Sequence, residues 1–310
     1  MASTVSSSAS VPEAPSPTAS VRLGLALGCA ASLQWALFLA YSRRAALDGL
    51  LPQDIVFLRF AVAGLILLPL VLRAGSRDLG GVGWGRGLVL MVLAGPFYAA
   101  FNAGAFLWAP LSHGAIVQPA TASLSGILIA LLFLHERISR MQAAGIALVL
   151  FGLAVIGTAA DGTAGPDAWI GDALFVVGGV MWGLFTATLR LWRLNGVMAT
   201  AALSVLSLPI VLLAVPFFGM ERLLALPADV LAMQVLVQGV FAGAVAVVCF
   251  AVAVQHLGAA RASLFLAVVP PLALVVGIPV TGEVPSMTEW LGVAVAAAGL
   301  AVAVAATARG

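Results

Sequence analysis

Residues 87–135 contain no Asp, Glu, Lys or Arg, and neither do residues 230–260. Uncharged stretches of that length cannot cover the surface of a water-soluble domain, in which roughly a quarter of all residues are charged. Here charged residues make up 8% of 310 and hydrophobic ones 63%. With a mean hydropathy of +1.15, lipid is the solvent that suits most of the chain. The expected fold class is an all-α polytopic membrane protein. A formal net charge of +2, carried by scattered arginines with no lysine, offers no basic patch for nucleic acid. Cys29 and Cys249 both sit within apolar runs and read as small core residues rather than as a disulfide or metal site.

The first 21 residues, rich in Ser, Ala, Pro and Thr, read as a disordered tail without the basic start of a signal peptide. Apolar windows follow at 22–41, 54–72, 84–107, 112–134 and 141–159, then at 169–190, 199–219, 228–256, 261–280 and 288–307. At about 1.5 Å per residue each crosses a hydrocarbon layer of roughly 30 Å, so ten transmembrane helices are expected. If the N-terminus is inside, ten arginines lie at cytoplasmic ends, and Arg43, Arg44 and Arg222 at outside ends. That bias places both termini in the cytoplasm. A linker at 160–168 divides residues 22–159 from residues 169–307.

The two halves repeat each other. A constant shift of 147 residues superposes Trp35 on Trp182, Leu37 and Phe38 on Leu184 and Phe185, Arg43 on Arg190, and Pro69 on Pro216. It also superposes Glu136 on Glu283, Gly145 on Gly292, and Gly152 on Gly299. Rare residue types recurring at one offset imply duplication. Five spans is an odd number, so the second half must enter the membrane from the opposite side. Two inverted five-helix repeats place a pseudo-two-fold axis in the membrane plane and a cavity near its middle, as in many secondary transporters.

Trp35, Asp54 with Arg59, and the run Leu134-His135-Glu136-Arg137-Ile138 followed by Gln142 and Gly145 form a pattern that resembles the EamA-type drug/metabolite transporter superfamily, over roughly residues 22–307. In the second half Pro285 stands where the first has Ile138. The resemblance implies ten spans, export of amino acids or related metabolites from a bacterial cytoplasmic (inner) membrane, and a cavity lined chiefly by spans 1, 3, 4, 6, 8 and 9.

Several residues are candidates for that cavity. Tyr98 and Asn102 lie four apart in span three, Gln118, Thr121 and Ser125 stripe span four, and Gln234 and Gln238 lie four apart in span eight, so each set shares one helix face. Such polar groups either glue helices together or line a cavity. Trp35 and Phe38, with Trp182, Phe185 and Thr186, occupy equivalent positions and suggest an aromatic wall. Arg59 is the arginine well inside a span, either meeting a substrate carboxylate or snorkelling and pairing with Asp54. Pro119, Pro270 and Pro271 each remove a helix hydrogen bond and are candidate gating hinges. Glu136 and Glu283 read as helix-end anchors. His113, His135 and His256 lack a carboxylate or cysteine at ligand spacing, so no metal is expected. Gly145 with Gly152, and Gly292 with Gly299, mark tight scaffold helices.

No acid–base or nucleophile constellation suggests an enzyme, and no cofactor is implied. The acidic residues lie in the tail, in loops or near span ends, which disfavours a multidrug antiporter of cations. The lack of clustered cations disfavours sugar-phosphate exchange. The expectation is an exporter of small metabolites, foremost amino acids with aromatic or hydrophobic side chains, working by alternating access. A non-transporting membrane receptor or scaffold, or a multidrug exporter of the same fold, is the alternative. Partners are the lipid bilayer and the solute, and proton coupling is left open.

Overall fold

The computed structural model describes residues 17–134, 139–158 and 164–307. Residues 135–138, and with them His135 and Glu136, lie outside the described residues, as do the start of the linker and Arg309. All the regular structure described is helical. The first half holds α1 (Pro17–Leu47), α2 (Pro52–Gly75), α3 (Trp84–Ala94), α4 (Pro96–Ala105), α5 (Leu111–Leu134) and α6 (Arg140–Gly157). The second holds α7 (Ala168–Leu191), α8 (Gly196–Phe218), α9 (Glu221–Leu224), α10 (Ala228–Gln234), a π-helical segment (Val235–Val245), α11 (Ala246–Leu257), α12 (Ala259–Thr281) and α13 (Met287–Thr307).

Helices dominate because backbone N–H and C=O groups in lipid must be satisfied within their own segment. Among the described residues, eight helical segments are long and apolar enough to cross a membrane. The polar-striped α5 and α13, whose apolar part is Met287–Ala303, pack among them. Large apolar side chains such as Phe217, 85% exposed, and Leu213, 71% exposed, cover the outside, which is tolerable only against hydrocarbon. Trp84, Trp108 and Trp169 are exposed at helix ends, where an indole suits the membrane–water boundary.

Helix starts carry the duplication into atomic detail. Ser139 Oγ accepts from Gln142 N at 3.1 Å, and Ser139 N donates to Gln142 Oε1 at 2.8 Å. At the equivalent place, Ser286 Oγ accepts from Glu289 N at 3.2 Å and Ser286 N donates to Glu289 Oε2 at 2.8 Å. Each is a capping box that satisfies two orphan donors.

The third span is not one helix. Gly95 ends α3 by donating its N–H to Met91 O at 2.8 Å, and Pro96 begins α4. Proline has no N–H to continue the ladder, and a Cβ on Gly95 would stand 2.2 Å from Met91 O. The shift of 147 carries Gly95 and Pro96 onto Ala242 and Gly243, within the π-helical segment. The two repeats therefore abandon α-helical geometry at the same place.

Packing follows a pseudo-two-fold. α6 and α13 meet antiparallel, Gly145 against the backbone of Gly299 and Ala303, and Gly152 against Gly292 and Ala296. The repeat operation turns the first contact into Gly292 against Gly152 and Ile156, which the structure also has. Likewise α1 packs on α12 and α7 on α5. Ser32 Oγ donates to Phe265 O at 2.8 Å, while at the equivalent site Gly179 lies against Gln118 O. Equivalent helices running antiparallel make the repeats inverted.

Candidate functional site

A cavity lies between the halves, lined by Trp35 of α1, Arg59 and Phe60 of α2, Ala94 of α3, and Trp182 and Phe185 of α7. Thr200, Leu203 and Ser204 of α8, Ala242 and Gly243 of the π-helical segment, and Val247 of α11 complete it. The equivalent tryptophans thus face one space, and both helix irregularities border it. Its volume is about 30 Å³, room for about one or two waters.

The walls are aromatic. Trp35 meets Phe250 with ring centroids 5.3 Å apart, and Trp182 meets Tyr98 at 5.2 Å and Phe185 at 5.1 Å. The Arg59 guanidinium carbon stands 4.9 Å from the Phe38 ring, 5.7 Å from Phe60 and 5.9 Å from Tyr98. Those ring faces attract a cation. Arg59 makes no hydrogen bond or ion pair among the described residues.

Arg59 does not pair with Asp54. Five positions along an α-helix rotate a side chain by about 140° relative to its start, so the two point apart. Asp54, 2% exposed, instead accepts from Arg222 Nε at 2.9 Å and from Leu51 N at 2.8 Å. Arg222 comes from the short α9, which sequence spacing alone could not bring to α2.

The other polar candidates divide. Gln118 donates to Tyr98 Oη at 3.2 Å and so supports the aromatic wall from behind. Asn102 donates to Tyr98 O at 2.9 Å and packs on Gly178. Thr121 and Ser125 fill the α5–α7 seam against Gly179 and Gly183. Thr186 donates to Gly183 O at 3.0 Å. Gln238, fully buried, donates to Ser42 Oγ at 3.1 Å, and Gln234 donates to Tyr41 O at 3.1 Å. Those two glutamines bind the end of α1. In this conformation the lining comes from spans 1, 2, 3, 6, 7 and 8, with α5 and α12, spans 4 and 9, contributing none of it. Pro119, Pro270 and Pro271 lie inside continuous helices away from the lining.

One end of the bundle is stitched by charge. Arg43 binds Glu283 through Nε at 2.7 Å and Nη2 at 2.5 Å, and donates to Phe106 O at 2.5 Å; Leu111 N donates to Glu283 Oε2 at 3.1 Å. Ser112 Oγ donates to the fully buried Glu289 at 2.5 Å. His113 Nδ1 meets Asp172 Oδ1 at 2.9 Å, while its Nε2 is buried without a partner. His113 therefore does have a carboxylate partner, 59 residues away on another helix. His256 packs its Cβ near Gly24.

A larger groove of about 340 Å³ runs between α2, α3, α4 and α8, lined by Phe57, Phe97, Ile210 and Phe218 among others. Phe97 and Phe218 are exposed there, so it opens on the lipid-facing surface.

Fold and cavity together define an all-helical, multi-pass membrane protein of two inverted repeats. The family model described as "EamA-like transporter family" matches residues 22–158 and again 169–305. The chain belongs to that family, and is a membrane transporter of the drug/metabolite type. Members of the family are transporters rather than enzymes. No curated protein matches significantly. Among solved structures, one named only as the crystal structure of a protein is similar at 22% identity and TM-score 0.62, over 90% of this chain and 96% of that one. That likeness concerns the fold.

Proposed function

We propose that the protein is a secondary transporter that exports small metabolites, foremost amino acids with aromatic or hydrophobic side chains, by alternating access. Ten spans with both termini in the cytoplasm of a bacterial inner membrane complete the reading, in keeping with the arginine bias. The observation that carries it is the cavity on the pseudo-two-fold, where Trp35 and Trp182 from opposite halves border a space that also holds Arg59. An inverted pair of bundles can open such a space first to one side and then to the other. Pro119 and the Pro270-Pro271 pair, each a missing backbone hydrogen bond within a helix, are the bending points assigned to that movement. A multidrug exporter of cations is disfavoured by the same site, because Arg59 repels them.

Purified protein in liposomes loaded with labelled phenylalanine tests the proposal. Efflux above protein-free vesicles, abolished or strongly reduced in Trp35→Ala, is expected. Absence of flux for phenylalanine, leucine and related metabolites, with and without a pH gradient, would overturn it.

A further inference from the structure

We infer that this cavity recognises its substrate through a carboxylate and has no anionic partner for an ammonium group, so that its preferred class is aromatic or apolar monocarboxylate anions, with amino acids the weaker members. The inference rests on the transporter reading and revises its substrate order, setting the aromatic and apolar acids without an amine ahead of the amino acids.

Arg59 is the one charged residue among those lining the cavity. Its guanidinium carries five N–H donors, yet none is bonded among the described residues. The rings of Phe38, Phe60 and Tyr98 satisfy its charge from their faces but leave those donors without acceptors. A planar fork of donors in a low-dielectric, aromatic-walled space matches a carboxylate bidentately. The neighbouring walls, Trp35 and Trp182, offer apolar faces for a ring beside that carboxylate.

An ammonium finds no carboxylate: the Phe38, Phe60 and Tyr98 faces already hold Arg59, and the indole faces of Trp35 and Trp182 attract a cation more weakly than an ion pair would. Asp54 is bound to Arg222 and Leu51 N, and Glu283 to Arg43 and Leu111 N. Glu289 is held by Ser112 and Ser286 N, and Asp172 by His113. None of these carboxylates lines the cavity. Thr200 and Ser204 supply neutral hydroxyls only. A zwitterion would therefore bring in a charge that Arg59 repels and no carboxylate neutralises, and ring faces and hydroxyls would offset its desolvation only in part.

The test uses three probes that share one ring: 3-phenylpropionate with only the carboxylate, phenylalanine with both groups, and phenethylamine with only the amine. Binding to the purified full chain is followed by tryptophan fluorescence, and efflux from proteoliposomes is measured in parallel. The expected order is phenylpropionate at least tenfold tighter than phenylalanine, with phenethylamine not bound. Arg59→Gln should lose phenylpropionate at least tenfold, and Arg59→Lys, which keeps the charge without the fork, should retain part of it; monodisperse elution of both shows that they fold. Equal binding of acid and amine, binding of phenylalanine but not phenylpropionate, binding of none of the three, or wild-type affinity in a folded Arg59→Gln would each overturn the inference. Flux of phenylalanine with equal competition by acid and amine would leave the transporter reading intact. Tight binding of phenylpropionate without flux of any probe would do the reverse.

Discussion

Gly145→Ala probes the seam on which the two-fold packing depends. A Cβ there would lie 2.5 Å from Ala303 N and 2.7 Å from Gly299 O, both backbone atoms that no rotamer change can move aside. Ordinary contact begins at 3.4 Å, so α6 and α13 must part locally by about 0.9 Å, enough to forfeit much of the dispersion attraction along the seam. Overpacking of this kind costs about 1–3 kcal/mol. For a chain of 310 residues, with an unfolding entropy of about 2.1 cal/mol/K per residue, that lowers the unfolding midpoint by roughly 1.5–5 °C. Gly126→Ala in α5 is the control: nothing lies within 4 Å of its Cβ, and helix propensity favours alanine by up to about 1 kcal/mol. The pseudo-symmetry adds a sharper expectation. Gly292→Ala meets Ile156 Cγ1 at 2.5 Å and Gly152 O at 2.9 Å, the repeat-equivalent contact, and one separation of the helices relieves both clashes. The double variant should therefore cost less than the sum of the singles. Thermal unfolding of detergent-purified variants, read by size-exclusion chromatography after heating, measures this. Gly145→Ala as stable as Gly126→Ala would refute the close backbone contact.

Three further outcomes are expected. Trp35→Ala should reduce transport roughly tenfold, the scale of a lost aromatic contact in a binding site, with membrane insertion intact, and Gln118→Ala should reduce it less because Gln118 acts through the Tyr98 hydroxyl; unchanged flux in both removes the cavity assignment. Ser286→Ala and Ser139→Ala should each cost about 1 kcal/mol of thermal stability, the former more because its partner Glu289 is fully buried; no loss in either contradicts the capping boxes. Glu283→Leu should destabilise by up to about 3 kcal/mol by stranding Arg43, and adding Arg43→Leu should recover much of that; a double variant no better than the single denies the coupling.

Much of this was legible in the chain. Uncharged runs gave the membrane class, and the 147-residue offset, resting on Trp, Arg, Pro, Glu and Gly, gave the inverted repeat that reappears as reciprocal Gly145–Gly299 and Gly152–Gly292 contacts. Trp35 and Trp182, which border one cavity, could be singled out because tryptophan is rare enough to align. Thr200, Ser204, Ala242 and Gly243 could not, since small residues in apolar spans look alike whether they pack or line a space. The offset held a clue that only the structure made readable: Gly95 and Pro96 fall on Ala242 and Gly243, where the second repeat turns π-helical. The partners of Asp54 and His113 escaped because helix periodicity reports neighbours on one helix, whereas Arg222 and Asp172 arrive from others.

Two related bundles that sit upside down relative to each other around the cavity must expose equivalent loops on opposite sides of the membrane. Asp78 and Ala225 occupy equivalent exposed positions under the repeat, so Asp78→Cys and Ala225→Cys, in a background lacking Cys29 and Cys249, test this arrangement in intact cells with a membrane-impermeant maleimide. Ala225→Cys should be labelled from outside and Asp78→Cys only after the membrane is permeabilised. Labelling of both from the same side would contradict the inverted arrangement.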